Sequence, residues 1–239
     1  FSEVWRVKQL AEPFMGFLLL FLVFLVSRYG TEQVLSEQAL AGLKQPKQPV
    51  VVVDAGHGGN DPGKVAVNGS LEKDINLAIA KRLAWYLEQA DVTVIMTRDS
   101  DSGLYSPTDS SKKTSDMQRR CQIMNESKAD LAVSIHQNSY HDEEISGGQV
   151  FYYADSVPGK RLAERIQKRF DYVLGAENRR QPKANESYYL LLHAECPAVI
   201  VECGFLSNWR EASLLGDEEY QDRMAYTIHM GILEYLNGE

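Results

Sequence analysis

From Val50 onward, short apolar runs alternate with segments whose apolar residues recur at helical spacing. The short runs lie at 50–54, 92–97, 131–136, 149–154 and 198–203, and the helical spacing occurs at 72–89, 117–124, 162–173 and 220–232. Runs that are apolar throughout are typical of parallel strands buried on both faces, and intervening helices supply the crossovers that parallel pairing needs. We therefore predict an α/β fold with a single, mostly parallel, twisted sheet of about five to six strands and helices on both faces.

An unbroken apolar run of 13 residues, 14–26, precedes this alternating part. A helix of that length covers roughly 20 Å, less than the ~30 Å core of a bilayer. Because Arg6 and Lys8 lie before it, the run fits a signal peptide or a short membrane anchor. The Ser27-Arg28-Tyr29 sequence lacks the small residues of a cleavage site, which favours an uncleaved anchor. The predicted parts of the chain are a membrane-targeting segment at 1–28, a polar linker at 29–49 and a folded domain at 50–239.

The composition excludes several classes of protein. Apolar residues make up 44% and charged residues 24% of the chain, which is ordinary for a globular protein and argues against disorder. The net charge is −8, and no basic cluster is present to displace counterions, so nucleic acid is not an expected partner. Three cysteines in 239 residues are too few for a disulfide-built fold, and we expect free thiols.

Four polar side chains lie where the predicted sheet would bring them together. His57 follows the first strand, His136 ends the third, and Glu202 is next to last in the fifth. Glu72 opens the first helix, for which Ser70 is the expected cap. Because the carboxyl ends of parallel strands meet at one edge, two imidazoles and two carboxylates are expected to converge there.

This set of side chains is typical of a hydrolytic zinc site, in which two histidines and one glutamate commonly hold the ion. A further carboxylate must then move a proton during hydrolysis. We predict His57, Glu72 and His136 as ligands of Zn²⁺ and Glu202 as the catalytic base. Each residue alone has an ordinary explanation, such as a turn histidine or a glutamate that interacts with a helix dipole. Glu202 is the least ordinary, because a charge inside an apolar strand is costly without a partner.

Two further residues are weaker candidates for supporting the ligands or lining a substrate groove. Asn138 follows His136 by two positions, so its side chain should lie on the same side of the strand. Arg120 precedes the third strand, where a solvated helix face is an equally good explanation.

Four stretches together resemble the motifs of zinc N-acetylmuramoyl-L-alanine amidases with the type 3 catalytic domain. They are VVVDAGHGG at 51–59, SLEKDINL at 70–77, VSIHQNS at 133–139 and PAVIVECGFLSN at 197–208. The resemblance implies one zinc at positions matching His57, Glu72 and His136, with Glu202 matching the catalytic glutamate. It also implies hydrolysis of the amide between the lactyl group of N-acetylmuramic acid and L-alanine of peptidoglycan stem peptides.

The apolar segment, short linker and catalytic domain are most similar to the germination-specific amidases of endospore formers. This resemblance implies action outside the cytoplasm, in the forespore intermembrane or cortex space, during formation of muramic δ-lactam and germination. Peptidoglycan is then the substrate, the N-terminal segment contacts the membrane, and the identity of an accessory protein partner stays open. Two alternatives also stay open: a zinc peptidase acting on wall peptides, and a non-catalytic wall-binding module.

Overall fold

The computed structural model describes residues 17–28, 48–175 and 178–238, and the chain divides into two compact units with the boundary after Lys47. In the first unit, residues 17–28 form helix α1, and their apolar side chains are exposed. No helix within the described ranges is long and apolar enough to cross a membrane. Arg6, Lys8 and nearly all of the predicted linker lie outside the described residues. Membrane attachment through residues 1–28 stays a prediction.

The second unit is a six-stranded sheet with helices packed against it. Its elements, in chain order, are β1 (Val50–Ala55), α2 (Glu72–Gln89), β2 (Thr93–Met96), α3 (Lys112–Glu126), β3 (Leu131–Asn138), β4 (Gln149–Tyr153), α4 (Val157–Arg169), α5 (Asp171–Leu174), β5 (Lys183–Asn185), α6 (Tyr189–His193), β6 (Ala198–Phe205), α7 (Trp209–Leu215) and α8 (Glu218–Leu236). The strand order is β2-β1-β3-β6-β4-β5, and every pair is parallel except β4 with β6. The predicted α/β fold with a mostly parallel sheet is confirmed.

Both faces of the sheet are buried, which explains why its central strands are apolar throughout. In β1, Val51 and Val53 join the larger hydrophobic cluster, which includes residues of α2, α4 and α8. Val52 points to the opposite face and packs in a second cluster with Met124 of α3 and Leu190 of α6. Full burial of each such valine contributes roughly 1.5–3 kcal/mol to folding. Alternate side chains of one strand therefore stabilise two helical layers at once.

Two details differ from the sequence-based expectation. Strand β5 is three residues long and partly exposed at the edge of the sheet, so no apolar run marks it in the sequence. Ser70 does not cap α2, since Leu71 is the residue before the helix and makes no side-chain cap. The first amides of α2 instead donate to backbone carbonyls of the preceding loop, Glu72 to Lys64 and Lys73 to Pro62. These contacts replace a side-chain cap.

Candidate active site

Three of the predicted residues meet beyond the carboxyl ends of β1 and β3. Ligand atoms of His57, Glu72 and His136 all lie within 4.8 Å of one another. His57 Nε2 is 3.2 Å from Glu72 Oε2, and His136 Nδ1 is 3.1 Å from Glu72 Oε1. The two imidazole rings are edge to face, with centroids 5.0 Å apart. Two imidazole nitrogens and a carboxylate at this spacing could hold a metal ion, and they fit the donor set of a zinc site.

Glycines make this close approach sterically feasible. A Cβ on Gly56 would lie 2.3 Å from the imidazole of His136. Gly63 adopts a φ of +66°, and a Cβ there would lie 2.5 Å from Glu72 Oε2 and 2.7 Å from the ring of His57. Any larger side chain at either position would push a candidate ligand out of place.

The carboxylate of Glu72 is buried but well supplied with hydrogen bonds. The backbone amides of Lys64 and Gln137 donate to its two oxygens at 2.8 and 3.1 Å. Burial raises the pKa of Glu72, but hydrogen bonds and charge interactions with His136 and His57 outweigh it and hold that pKa well below its usual range. Glu72 is therefore an anion at neutral pH.

The imidazole of His57 contacts carboxylates through both ring nitrogens. Its Nδ1 lies 2.8 Å from Asp61 Oδ2, while Nε2 faces Glu72. Burial lowers the pKa of His57, yet Glu72 and Asp61 together raise it to about 9. The same negative environment that favours a proton on this ring would favour a bound cation.

Glu202 lies next to this group, because it pairs in register with His136 across β3 and β6. Its side chain is buried, and Oε2 has no hydrogen-bond partner among the described residues. Burial raises the pKa of Glu202, and the negative charge of Glu72 raises it further. The imidazoles of His136 and His57 lower it, but the net result is a pKa of about 7. A carboxyl group with such a pKa can both accept and return a proton near neutral pH.

A cavity of about 590 Å³ borders three of these four side chains. His57, His136 and Glu202 contribute to its lining, together with the aromatic residues Tyr105 and Tyr188. Its volume is in the range of sites that bind small organic ligands. The cavity can therefore admit a substrate to the candidate ligands and to Glu202.

The family model described as N-acetylmuramoyl-L-alanine amidase matches residues 51–234. The chain belongs to this amidase family. It is accordingly an enzyme, an N-acetylmuramoyl-L-alanine amidase with peptidoglycan as its substrate, as the sequence motifs predict. The family match favours this activity over the zinc peptidase and the wall-binding module.

Individual relatives agree with the family match. The germination-specific N-acetylmuramoyl-L-alanine amidase of Bacillus subtilis (strain 168) is 39% identical in an alignment of 191 residues that covers 78% of this chain and 79% of that protein. N-acetylmuramoyl-L-alanine amidase LytC of the same strain is 34% identical over 80% of this chain but only 37% of its own length. The CwlD amidase from Clostridioides difficile, solved in complex with the GerS lipoprotein, has a TM-score of 0.78 and 38% identity over 80% of this chain and 100% of that one.

The structure describes the surroundings of the two weaker candidates in this amidase. Arg120 is not on a solvated helix face, since it is 2% exposed, contributes to the lining of the cavity and has a guanidinium that donates to Asp54 and Asp116. The side-chain oxygen of Asn138 accepts from the amide of Ser139 at 2.8 Å, and a role for Asn138 in supporting a ligand or lining the groove stays a prediction. A register shift between His136 and Asn138 interrupts the regular pairing of β3 with β6. The prediction that the two side chains lie on the same side of the strand assumed a regular strand without such a shift.

Three residues around the ligand group were not singled out by the sequence. Asp61 contacts His57, as described above, and Asn76 donates to the carbonyl of Gly56 at 3.1 Å. Gln137 in turn donates to Asn76 Oδ1 at 3.1 Å. Asn76 follows Glu72 by one helical turn, a spacing that could have revealed it. No comparable pattern marks Asp61 or Gln137, because their contacts depend on how a loop and a strand end pack.

Proposed function

We propose that this amidase uses a single zinc ion, held by His57, Glu72 and His136, to cleave the amide between the lactyl group of N-acetylmuramic acid and L-alanine. The observation that carries the proposal is the convergence of the three ligand atoms within 4.8 Å, beside a buried carboxylate with an unpartnered oxygen. When bound, zinc supplies Lewis acidity at the scissile carbonyl and lowers the pKa of a water molecule.

Residues of the chain itself transfer the protons and orient the ligands. Glu202 Oε2 takes a proton from the water as its oxygen attacks the lactyl carbonyl carbon, and returns a proton to the amide nitrogen as the C–N bond breaks. The products are a lactyl carboxylate and a stem peptide with a free L-alanine amine. Asp61 holds the ring of His57 through Nδ1, which leaves Nε2 directed towards Glu72 and available as a ligand.

Metal analysis of ligand variants tests the proposed zinc site. His57→Ala and His136→Ala should each empty the site, because two protein ligands hold zinc far less tightly than three. His193→Ala is a matched control, since that histidine is exposed and contacts Tyr189 instead. Chelation should abolish activity in the wild type, and added zinc should restore it. Full zinc occupancy in either ligand variant would refute the assignment.

We further propose that the enzyme acts outside the cytoplasm on spore cortex peptidoglycan and thereby permits formation of muramic δ-lactam. Support comes from the likeness to the germination-specific amidase of Bacillus subtilis and to the CwlD amidase. The CwlD complex with GerS makes a lipoprotein a candidate partner for this chain as well. Deletion of the gene should leave growth normal but yield spores without muramic δ-lactam that fail to complete germination. A normal δ-lactam content in mutant spores would refute the cortex role and leave the amidase chemistry intact.

A further inference from the structure

A buried arginine lies beneath the loop that carries His57. Arg120 of α3 is 2% exposed, and two carboxylates fix its guanidinium: Nη1 is 2.6 Å from Asp54 Oδ1, and Nε is 2.6 Å from Asp116 Oδ2. A guanidinium buried without partners would be strongly destabilising, because its charge would lose its hydration uncompensated. The paired carboxylates allow the cation to remain in the interior in one orientation.

Asp54 is itself held rigidly in β1. The hydroxyls of Thr97 and Ser134 donate to its two oxygens at 2.6 and 2.5 Å. Burial raises the pKa of Asp54, but Arg120 and the two hydroxyls together lower it to about 2, so the residue is ionised. The ion pair with Asp54 therefore fixes the guanidinium of Arg120 against the central strands of the sheet.

The remaining donors of Arg120 point to the backbone that follows β1. Nη1 donates to the carbonyl of Ala55 and Nη2 to the carbonyl of His57, both at 2.7 Å. Arg98 completes the set, because its guanidinium donates to the carbonyls of Ala55 and Gly56 at 2.8 and 3.0 Å. Three consecutive carbonyls therefore each meet a guanidinium N–H.

This support matters because His57 adopts an unfavourable backbone conformation. Its φ is +62°, in the left-handed region, where the Cβ of a residue other than glycine lies too close to the following carbonyl oxygen. Such a conformation persists only where the surroundings determine it. Arg120 fixes the peptide after His57 through the carbonyl of His57, and Arg98 fixes the peptide before it through the carbonyl of Gly56.

We infer that Arg120 is a positioning residue, which fixes the backbone of His57 through its carbonyl and thereby places the imidazole for metal binding. The part of this inference that concerns the metal rests on the proposed zinc function. Arg120 acts through the backbone of a ligand and takes no part in proton transfer. Its removal should weaken metal binding and loosen the loop at 56–59.

Zinc affinity of the Arg120→Lys variant is the first test. Lysine keeps the charge near Asp54, but a single ammonium group cannot reach four acceptors arranged around a planar guanidinium. Competition with a chromophoric chelator should show a zinc dissociation constant raised about 10- to 100-fold. The matched control is Arg119→Lys, since Arg119 is exposed and contacts Gln122, and its affinity should stay within about twofold of the wild type. An unchanged affinity in a folded Arg120→Lys variant would overturn the inference.

Amide hydrogen exchange in metal-free protein is the second test and does not depend on zinc. Asp116→Asn leaves one oxygen that can still accept from the amide of Leu104, but its amide nitrogen cannot accept from Nε of Arg120. Because the side chain of Asp116 is 15% exposed, this variant should fold even if Arg120→Lys does not. Exchange at the amides of Gly58 and Gly59 should rise about 10-fold or more, while amides of α8 stay protected. Equal protection of both glycines in the variant and the wild type would overturn the positioning role. Failure of the wild type to bind zinc would refute the proposed function. The exchange experiment would still decide whether Arg120 positions the backbone of His57.

Discussion

At the scale of single residues, Glu202 combines burial, a pKa raised to about 7 and an unpartnered oxygen beside the ligand group. Replacement by glutamine keeps the shape of the side chain but removes its ability to accept a proton. Glu202→Gln should therefore lower the hydrolysis rate by about 10²-fold or more, with zinc still bound. The same change at exposed Glu195 is the control. Loss of zinc from a folded Glu202→Gln protein would mean that Glu202 is a ligand rather than a base.

Protonation of Asp54 at low pH should lower the free energy of unfolding. Its pKa is about 2 in the folded protein and near 3.8 in an unfolded chain. Because the folded value is the lower one, the stabilisation is complete above about pH 4 and is lost as the pH falls to about 2, on the order of 2 kcal/mol in total. Urea unfolding of the wild type and of Asp54→Asn across this range measures it. Identical pH dependence in the two proteins would contradict the ion-pair network described for Arg120.

At the scale of elements, the polar segment between β2 and α3 supports the glycine-rich loop that carries His57. Asp101 accepts from the amide of Gly59 at 2.9 Å, and the hydroxyl of Tyr105 accepts from the amide of Asn60 at 2.9 Å. Lys73 of α2 donates to both the carbonyl of Gly59 and the carboxylate of Asp101, at 3.0 and 2.7 Å. This segment is therefore a second support for the loop, on residues that Arg98 and Arg120 do not reach.

Removing one hydroxyl from this segment should loosen the loop locally. A typical hydrogen bond contributes about 1 kcal/mol, so Tyr105→Phe should speed exchange of the Asn60 amide about fivefold. Tyr140→Phe is the control, since Tyr140 is an exposed tyrosine beyond β3. Unchanged exchange at Asn60 in Tyr105→Phe would show that the contact does not hold the loop in solution.

The elements also show how far the sequence alone could lead. The central strands were predictable because burial on both faces requires apolar residues at every position, as in β1. The convergence of the candidate ligands followed from strand ends and from Glu72 at the start of α2. Short elements such as β5 carry no such pattern. The contacts of Asp61 and Arg120 could not be predicted, because they arise from loop closure and from the packing of Arg120 against Asp54, which lies 66 residues away in sequence.

At the scale of the whole molecule, residues 48–239 form one compact unit and the family match spans 51–234. A chain truncated to 48–239 should therefore be soluble, bind zinc and hydrolyse peptidoglycan at the rate of the full chain. The full chain should sediment with membranes and resist high-salt washing, because insertion of apolar side chains is not screened by salt. Insolubility of the truncated chain would show that residues 1–47 belong to the folded domain. Release of the full chain from membranes by salt would contradict anchoring through apolar side chains.

Product analysis of digested peptidoglycan tests the proposed chemistry most directly. Mass spectrometry of purified peptidoglycan treated with the zinc-loaded enzyme should show free lactyl carboxyl groups on muramic acid and stem peptides that begin with free L-alanine. These products should disappear after chelation, return with added zinc and be nearly absent with Glu202→Gln. Cleavage within the stem peptide instead would identify a peptidase, and intact peptidoglycan after treatment with zinc-loaded wild type would contradict the amidase mechanism altogether.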